Sequence, residues 1–358
     1  MTAPHSQDSA GERARLIPYT ALPEALSPRD QRDLMERPFF SLAKGRRVAP
    51  ILYRTAEVEV IVEALPAHGM ATIWDADVLI WAASQIVEAL DHGLAPSRLV
   101  RFTPYQLLRA IGRETTQRHY LLLKGALQRL QSTVVRTTIR QDAHWRRRQF
   151  SWLNEWAELV DRKGRNHGME VVLPNWFYRG VADRSLVLTI DPAYFRLSGG
   201  IERWLYRIAR KHAGHQPRGW VFDFRHLHAK SGSLARFSDF ALDLRRIAAR
   251  QPLPGYRLSV RRLPGAGEAL HVAALSTGPV DKPVRDPDAA VEPDDTSGAE
   301  GLDTSGAPDT ILRAHEAGAS ACTASGIRRR NSSNQESNQK SCGWRAAGEA
   351  ATGQRRPS

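Results

Sequence analysis

Gln117, Arg118, Lys124, Gln128 and Arg129 fall on one side of a helix when the stretch from Thr116 to Leu130 is projected at about 100° per residue. Gln and Arg in such a row make paired hydrogen bonds to adenine and guanine edges, while Arg and Lys also neutralise phosphates. A second set, Ser238, Asp239, Arg245 and Arg246, points away from an apolar stripe of the same spacing. Arg146, Arg147, Arg148 and Lys230 stand beside these faces, and their chemistry is phosphate contact or, from a hairpin, insertion in an adjacent groove. Gly125 lies within the first set; it weakens a helix but lets the backbone approach a partner closely. A merely solvated polar face is the alternative for each set.

Other chemistry is less complete. His226-Leu227-His228 is spaced like the element of a nickase that holds a divalent metal against a scissile phosphate. Such an enzyme also needs a tyrosine nucleophile. Tyr256 is the only tyrosine downstream, it follows two prolines in a strand candidate, and no third ligand is evident. His212 and His215 read as helix-end residues favoured by the dipole. No Gly-x-x-x-x-Gly-Lys-Ser/Thr loop occurs, so nucleotide hydrolysis would have to come from a partner. Cys322 and Cys342, the only cysteines, lie near the C-terminus, so neither disulfide nor zinc serves the core. The expectation is a non-enzymatic protein without cofactor or metal.

The elements that must position these residues follow from periodicity. Thr103-Pro104 caps a short helix, Gly112 breaks it, and Tyr120, Leu123, Leu127 and Leu130 give the next helix one buried stripe. The β-branched run Thr133 to Ile139 is a strand that returns from Arg146 to Phe150. Gln149 to Asp161 continue as a strand, and its Trp152 and Trp156, with Trp145, are candidates for core packing or for base stacking. Asp75 caps a preceding helix to about Leu90. Phe39–Leu42, Ile51–Tyr53, Val58–Val62 and Ala71–Trp74 are short strand candidates. Downstream the order recurs: a helix from Ile201 to Ala213, a strand from Trp220, a short helix from Arg225, a turn that contains Lys230, and a helix from Leu234 to Arg250. Phe237, Phe240, Leu244 and Ile247 form that last helix's stripe, and Tyr256–Val260 pairs with Ala269–Leu275. Helix, turn, helix, hairpin is the order of a winged helix. The fold class expected is therefore α+β, with two tandem winged-helix (helix-turn-helix) domains, 35–190 and 191–275. A flexible arm, 1–34, precedes them, and a disordered low-complexity tail, 276–358, follows.

Charge agrees with this reading. Residues 1–275 hold 41 Lys/Arg against 26 Asp/Glu, a net of +15, and residues 101–150 hold eleven basic and two acidic side chains. A folded segment so biased suits a polyanion, nucleic acid before membrane. No apolar run is long enough to span a bilayer, and Met1 to Gly11 lacks a secretion-signal core, which points to the cytoplasm. Residues 281–309 carry nine acidic and two basic side chains, which suits a solvated spacer or a competitor of DNA for the basic core.

Gly199-Gly200-Ile201-Glu202-Arg203-Trp204-Leu205-Tyr206-Arg207-Ile208-Ala209-Arg210-Lys211-His212, preceded by Leu188-Thr189-Ile190-Asp191-Pro192-Ala193-Tyr194-Phe195, resembles the replication initiator protein A family of bacterial plasmids. Gly232 to Phe240 resembles that family's second recognition helix. The similarity covers about residues 17 to 260 and leaves out the stretch after Ser276. It implies paired winged helices on repeated origin DNA, opening of the duplex, and recruitment of the host initiator ATPase and replicative helicase. It also implies a first domain that forms homodimers, with the dimer the poorer origin binder. A DNA-binding repressor shares every feature except the family signature.

Overall fold

In the computed structural model of the protein, the described residues are 13–23, 26–140, 148–214, 216, 218–263 and 267–275. Arg146, Arg147, Trp145, His215 and the stretch after Leu275 lie outside them. Among the described residues, one order of elements occurs twice. In its first occurrence a helix α2 (Ala76–Asp91) leads to strand β5 (Leu99–Phe102), helix α3 (Pro104–Ala110), helix α4 (Gln117–Ser132) and a hairpin of β8 (Glu155–Val160) and β9 (Asn166–Val172). In the second, α6 (Gly200–Ala213) leads to β11 (Trp220–Asp223), α7 (Phe224–Ser231), α8 (Phe237–Arg250) and the hairpin β12 (Tyr256–Leu263) and β13 (Gly267–Ala274). In both, the strand before the short helix pairs antiparallel with the second strand of the hairpin, Leu99 opposite Val172 and Trp220 opposite Val272.

The first occurrence carries additions. Strands β1 (Tyr19–Thr20) and β2 (Arg29–Gln31) and helix α1 (Arg32–Glu36) precede it; β1 extends the first sheet through β5, and β2 pairs with β10 (Val187–Thr189). Residues 13–23 and 26–34, expected as flexible arm, are thus strapped to the fold. Gln85 Oε1 accepts from the Leu22 backbone at 2.7 Å, and Leu34 and Met35 are buried. Strands β3 (Ile51–Arg54) and β4 (Glu59–Ala64) form a second sheet with β6 (Thr133–Thr137) and β7 (Arg148–Ser151), in the order β3-β4-β6-β7. The hairpin expected over 133–150 therefore forms, with Val134 opposite Ser151, but joins β4 rather than β5. The strand expected from Gln149 to Asp161 is broken at Trp152–Asn154. Trp152 is fully buried among Phe39, Phe40, Phe150 and Trp176, which removes it from any stacking on bases. Phe39–Leu42 and Ala71–Trp74 meet in a single bridge, Ser41 with Thr72, and extend no sheet. A helix α5 (Asn175–Ala182) completes the first half.

Helix α2 is apolar nearly all round, and thirteen of its sixteen residues are buried, so it lies inside the molecule. Val78, Leu79, Ala82 and Ile86 enter one hydrophobic cluster with the first sheet and α4, while Ile80 enters a second with α6 and α8. Gly200 lets the start of α6 lie against the Leu42 backbone: a Cβ there would fall 1.9 Å from the Leu42 carbonyl oxygen. Polar contacts join the same parts. Arg203 of α6 is 2.7 Å from Asp77 of α2, which also accepts from Arg113 at 3.2 Å, and Arg207 forks onto Asp30 at 2.6 and 3.0 Å. Burial pushes the Asp77 and Asp30 carboxyls up, opposed by these guanidiniums.

Candidate nucleic-acid interface

Helix α4 buries Leu123, Ala126, Leu127 and Leu130, as the spacing predicts. Its other face is more divided than the sequence suggests. Gln117 and Arg118 are exposed, with no ion-pair or hydrogen-bond partner among the described residues. Gln128 is exposed and its Nε2 donates to His68 Nε2 at 3.2 Å. Lys124 instead pairs with Glu158 of β8 at 2.8 Å. Arg129 forks onto Asp75 at 2.8 and 2.7 Å, so the carboxylate expected to cap α2 makes no cap and holds α4. On the side of α4 away from Lys124, a groove of about 370 Å³ is bordered by Lys44, Arg46, Trp74, Arg113 and Leu122.

The cations at the hairpins also differ from expectation. Arg148 sits half-buried on β7, in the sheet of β3 and β4. Lys124 ties α4 to the hairpin β8–β9, whose tip carries Arg162, Lys163 and Arg165. Asp161 shapes that tip: one oxygen accepts from the Lys163 and Arg165 amides at 2.8 and 2.9 Å, and the other accepts from Arg165 Nε. The Arg165 amide and the neighbouring His167 lower the Asp161 carboxyl below its ordinary value. Arg162 and Lys163 remain exposed and unpaired among the described residues.

In the second occurrence Lys230 is a correction. It is buried at 5% exposure and its Nζ lies 2.8 Å from Glu36, so it does not reach a phosphate. Although burial raises it, Lys230 and Lys211 hold the Glu36 carboxyl well below the ordinary carboxylate range. Ser238 and Asp239 are exposed in the first turn of α8, as expected. Arg245 forks onto Glu268 of β13, and Arg246 is exposed with Asp243 3.7 Å away. Arg236 at the start of α8 and Arg257 and Arg261 of β12 are exposed cations without partners among the described residues, which the sequence reading did not single out. For Arg257 and Arg261 the available signal was their place at alternate positions of β12, on one side with Ser259.

His226 and His228 belong to α7, not to a strand. His226 lies in the first turn that Asp223 caps, and His228 Nε2 donates to the Ala235 carbonyl at 2.8 Å. Tyr256 is buried against Tyr206. Among the described residues no three His, Cys, Asp or Glu side chains converge on a metal position, and no helix is long and apolar enough to cross a membrane.

A mixed α+β chain with this doubled order, and with exposed cations beside both long helices, has known relatives. Residues 29–258 match Replication initiator protein A, and the chain belongs to that family. It is 32% identical over 229 residues to a putative replication protein of Wigglesworthia glossinidia brevipalpis, covering 63% of this chain and 82% of that protein. The fold is similar to that of domain 2 and domain 3 of RctB, with a TM-score of 0.50, 15% identity, and coverage of 68% of this chain and 98% of that one.

Proposed function

We propose that this protein is a plasmid replication initiator whose two repeats are tandem winged helices, seated on repeated origin duplex and then used to open it. The observation that carries this reading is the exposure of Gln117 and Arg118 on α4, and of Asp239 and Arg246 on α8, each beside a hairpin with an exposed arginine that has no partner among the described residues. Helix faces of this composition read base edges, and hairpin cations hold the backbone. The protein itself is non-enzymatic in this reading and works by recruiting the host initiator ATPase and replicative helicase, as expected of the family. Its first repeat is a candidate for homodimer contacts.

The test is origin binding by the full chain across a salt series. Arg118→Ala is expected to cost about 1–3 kcal/mol on the specific duplex and to relax preference at one position. Lys163→Ala is expected to weaken every duplex alike and to reduce the salt slope by about one. A folded protein that ignores duplex in dilute buffer overturns the reading. Autonomous replication of a plasmid whose only initiator is this gene separates initiator from repressor.

A further inference from the structure

Gly125 stands within regular helix on the outer side of α4. A methyl group placed on it would meet only Arg129 Nη1 at 3.4 Å, an ordinary contact distance. The contrast is with Gly200 and Gly180, where a methyl would fall 1.9 Å from the Leu42 carbonyl oxygen and 1.7 Å from the Gln31 side-chain nitrogen. The fold demands glycine at Gly200, where the obstacle is backbone, while at Gly180 the ends of the Gln31 and Arg140 side chains would have to move; Gly125 meets neither obstacle. Glycine inside a helix is nevertheless less stable than alanine.

A second observation lies one turn earlier. Leu121 and Leu122 are 59% and 55% exposed, while Leu123, Leu127 and Leu130 of the same helix are buried. With Arg118 they form a strip that ends at Gly125. At 1.5 Å per residue the strip is about 10 Å long, roughly three base steps.

Resting on the duplex-binding reading above, we infer that this strip is the base-reading edge of α4. Gly125 removes a side chain so that the helix seats deeply, Leu121 meets a thymine C5 methyl, and Arg118 reaches a guanine within about three base pairs. Thymine is the base that offers a methyl in the major groove, and an unpaired leucine is chemically matched to it.

The test uses the full chain and a duplex that it selects from a random pool. Gly125→Ala is expected to raise the urea midpoint of unfolding while weakening the selected duplex about tenfold, with unrelated duplex unchanged at the same salt. Replacing thymines by deoxyuridine one at a time is expected to cost the parent roughly fourfold at one position, equivalent to about 0.8 kcal/mol for one buried methyl. Leu121→Ala should show no such loss. Unchanged affinity in Gly125→Ala, lower stability in that variant, or a flat deoxyuridine scan overturns the inference while the duplex-binding reading stands. A parent that selects no sequence overturns both.

Discussion

Arg129 and Arg250 sit late in α4 and α8 and do the same job. Arg129 forks onto Asp75 at the start of α2, and Arg250 reaches Glu202 in the first turn of α6 at 2.7 Å. Each ties the long outer helix of a repeat to the first helix of the same repeat. Lys124–Glu158 and Arg245–Glu268 tie the same helices to their hairpins. Asp75→Asn leaves the Arg129 guanidinium half-buried without its counter-charge. It is expected to lower the unfolding free energy by about 1–3 kcal/mol and to weaken origin binding severalfold with an unaltered salt slope. A steeper slope would instead show that the released Arg129 reaches phosphate. Spacing alone put Arg129 and Lys230 among exposed cations because their carboxylates are far away in sequence, 54 and 194 residues respectively. Gln117, Arg118, Ser238 and Asp239 have no such distant partner, and for them the sequence face and the structural face agree.

Helices were legible where one face is apolar, as in α4 and α8, and the Thr103–Gln106 capping box sits where Thr103-Pro104 announced it. Strand partners were not legible, because a β-branched run such as Thr133–Thr137 states that a strand exists and leaves its neighbour open. The end of α6 shows a second competition. A helix C-terminus favours a charged histidine, yet burial, with Lys230 nearby, lowers His212 to about 4 from 6.5. Its ring lies against Trp220 and Phe222. With the folded value depressed, the unfolded chain takes up the proton first, so stability is present above about 6.5 and falls as the pH drops toward about 4. His212→Gln is expected to shrink the change in urea midpoint across that window. A midpoint that shifts as much as in the parent would assign the acid sensitivity to other groups.

Across the whole molecule, the arginines of the stretch Gly199–His212 face inward. Arg203 meets Asp77 and Arg207 meets Asp30, each pair almost fully enclosed. Asp77→Asn is expected to destabilise by about 3–5 kcal/mol, since it strands a buried guanidinium, and Asp30→Leu with Arg207→Met should be milder than Asp30→Leu alone. Equal losses in the single and double variants would show that the pair contributes through packing only. The composition signalled a basic protein, but a share of that charge is internal mortar between the repeats.

Helix α2 lends Ile80 to one core and its remaining apolar faces to the other. A gene divided between Leu173 and Gly199 would therefore give one product with Ile80 bare to water and Asp77 without Arg203, and another with a missing wall. Neither fragment should be recoverable without its mate, and heat should melt the intact chain in one step.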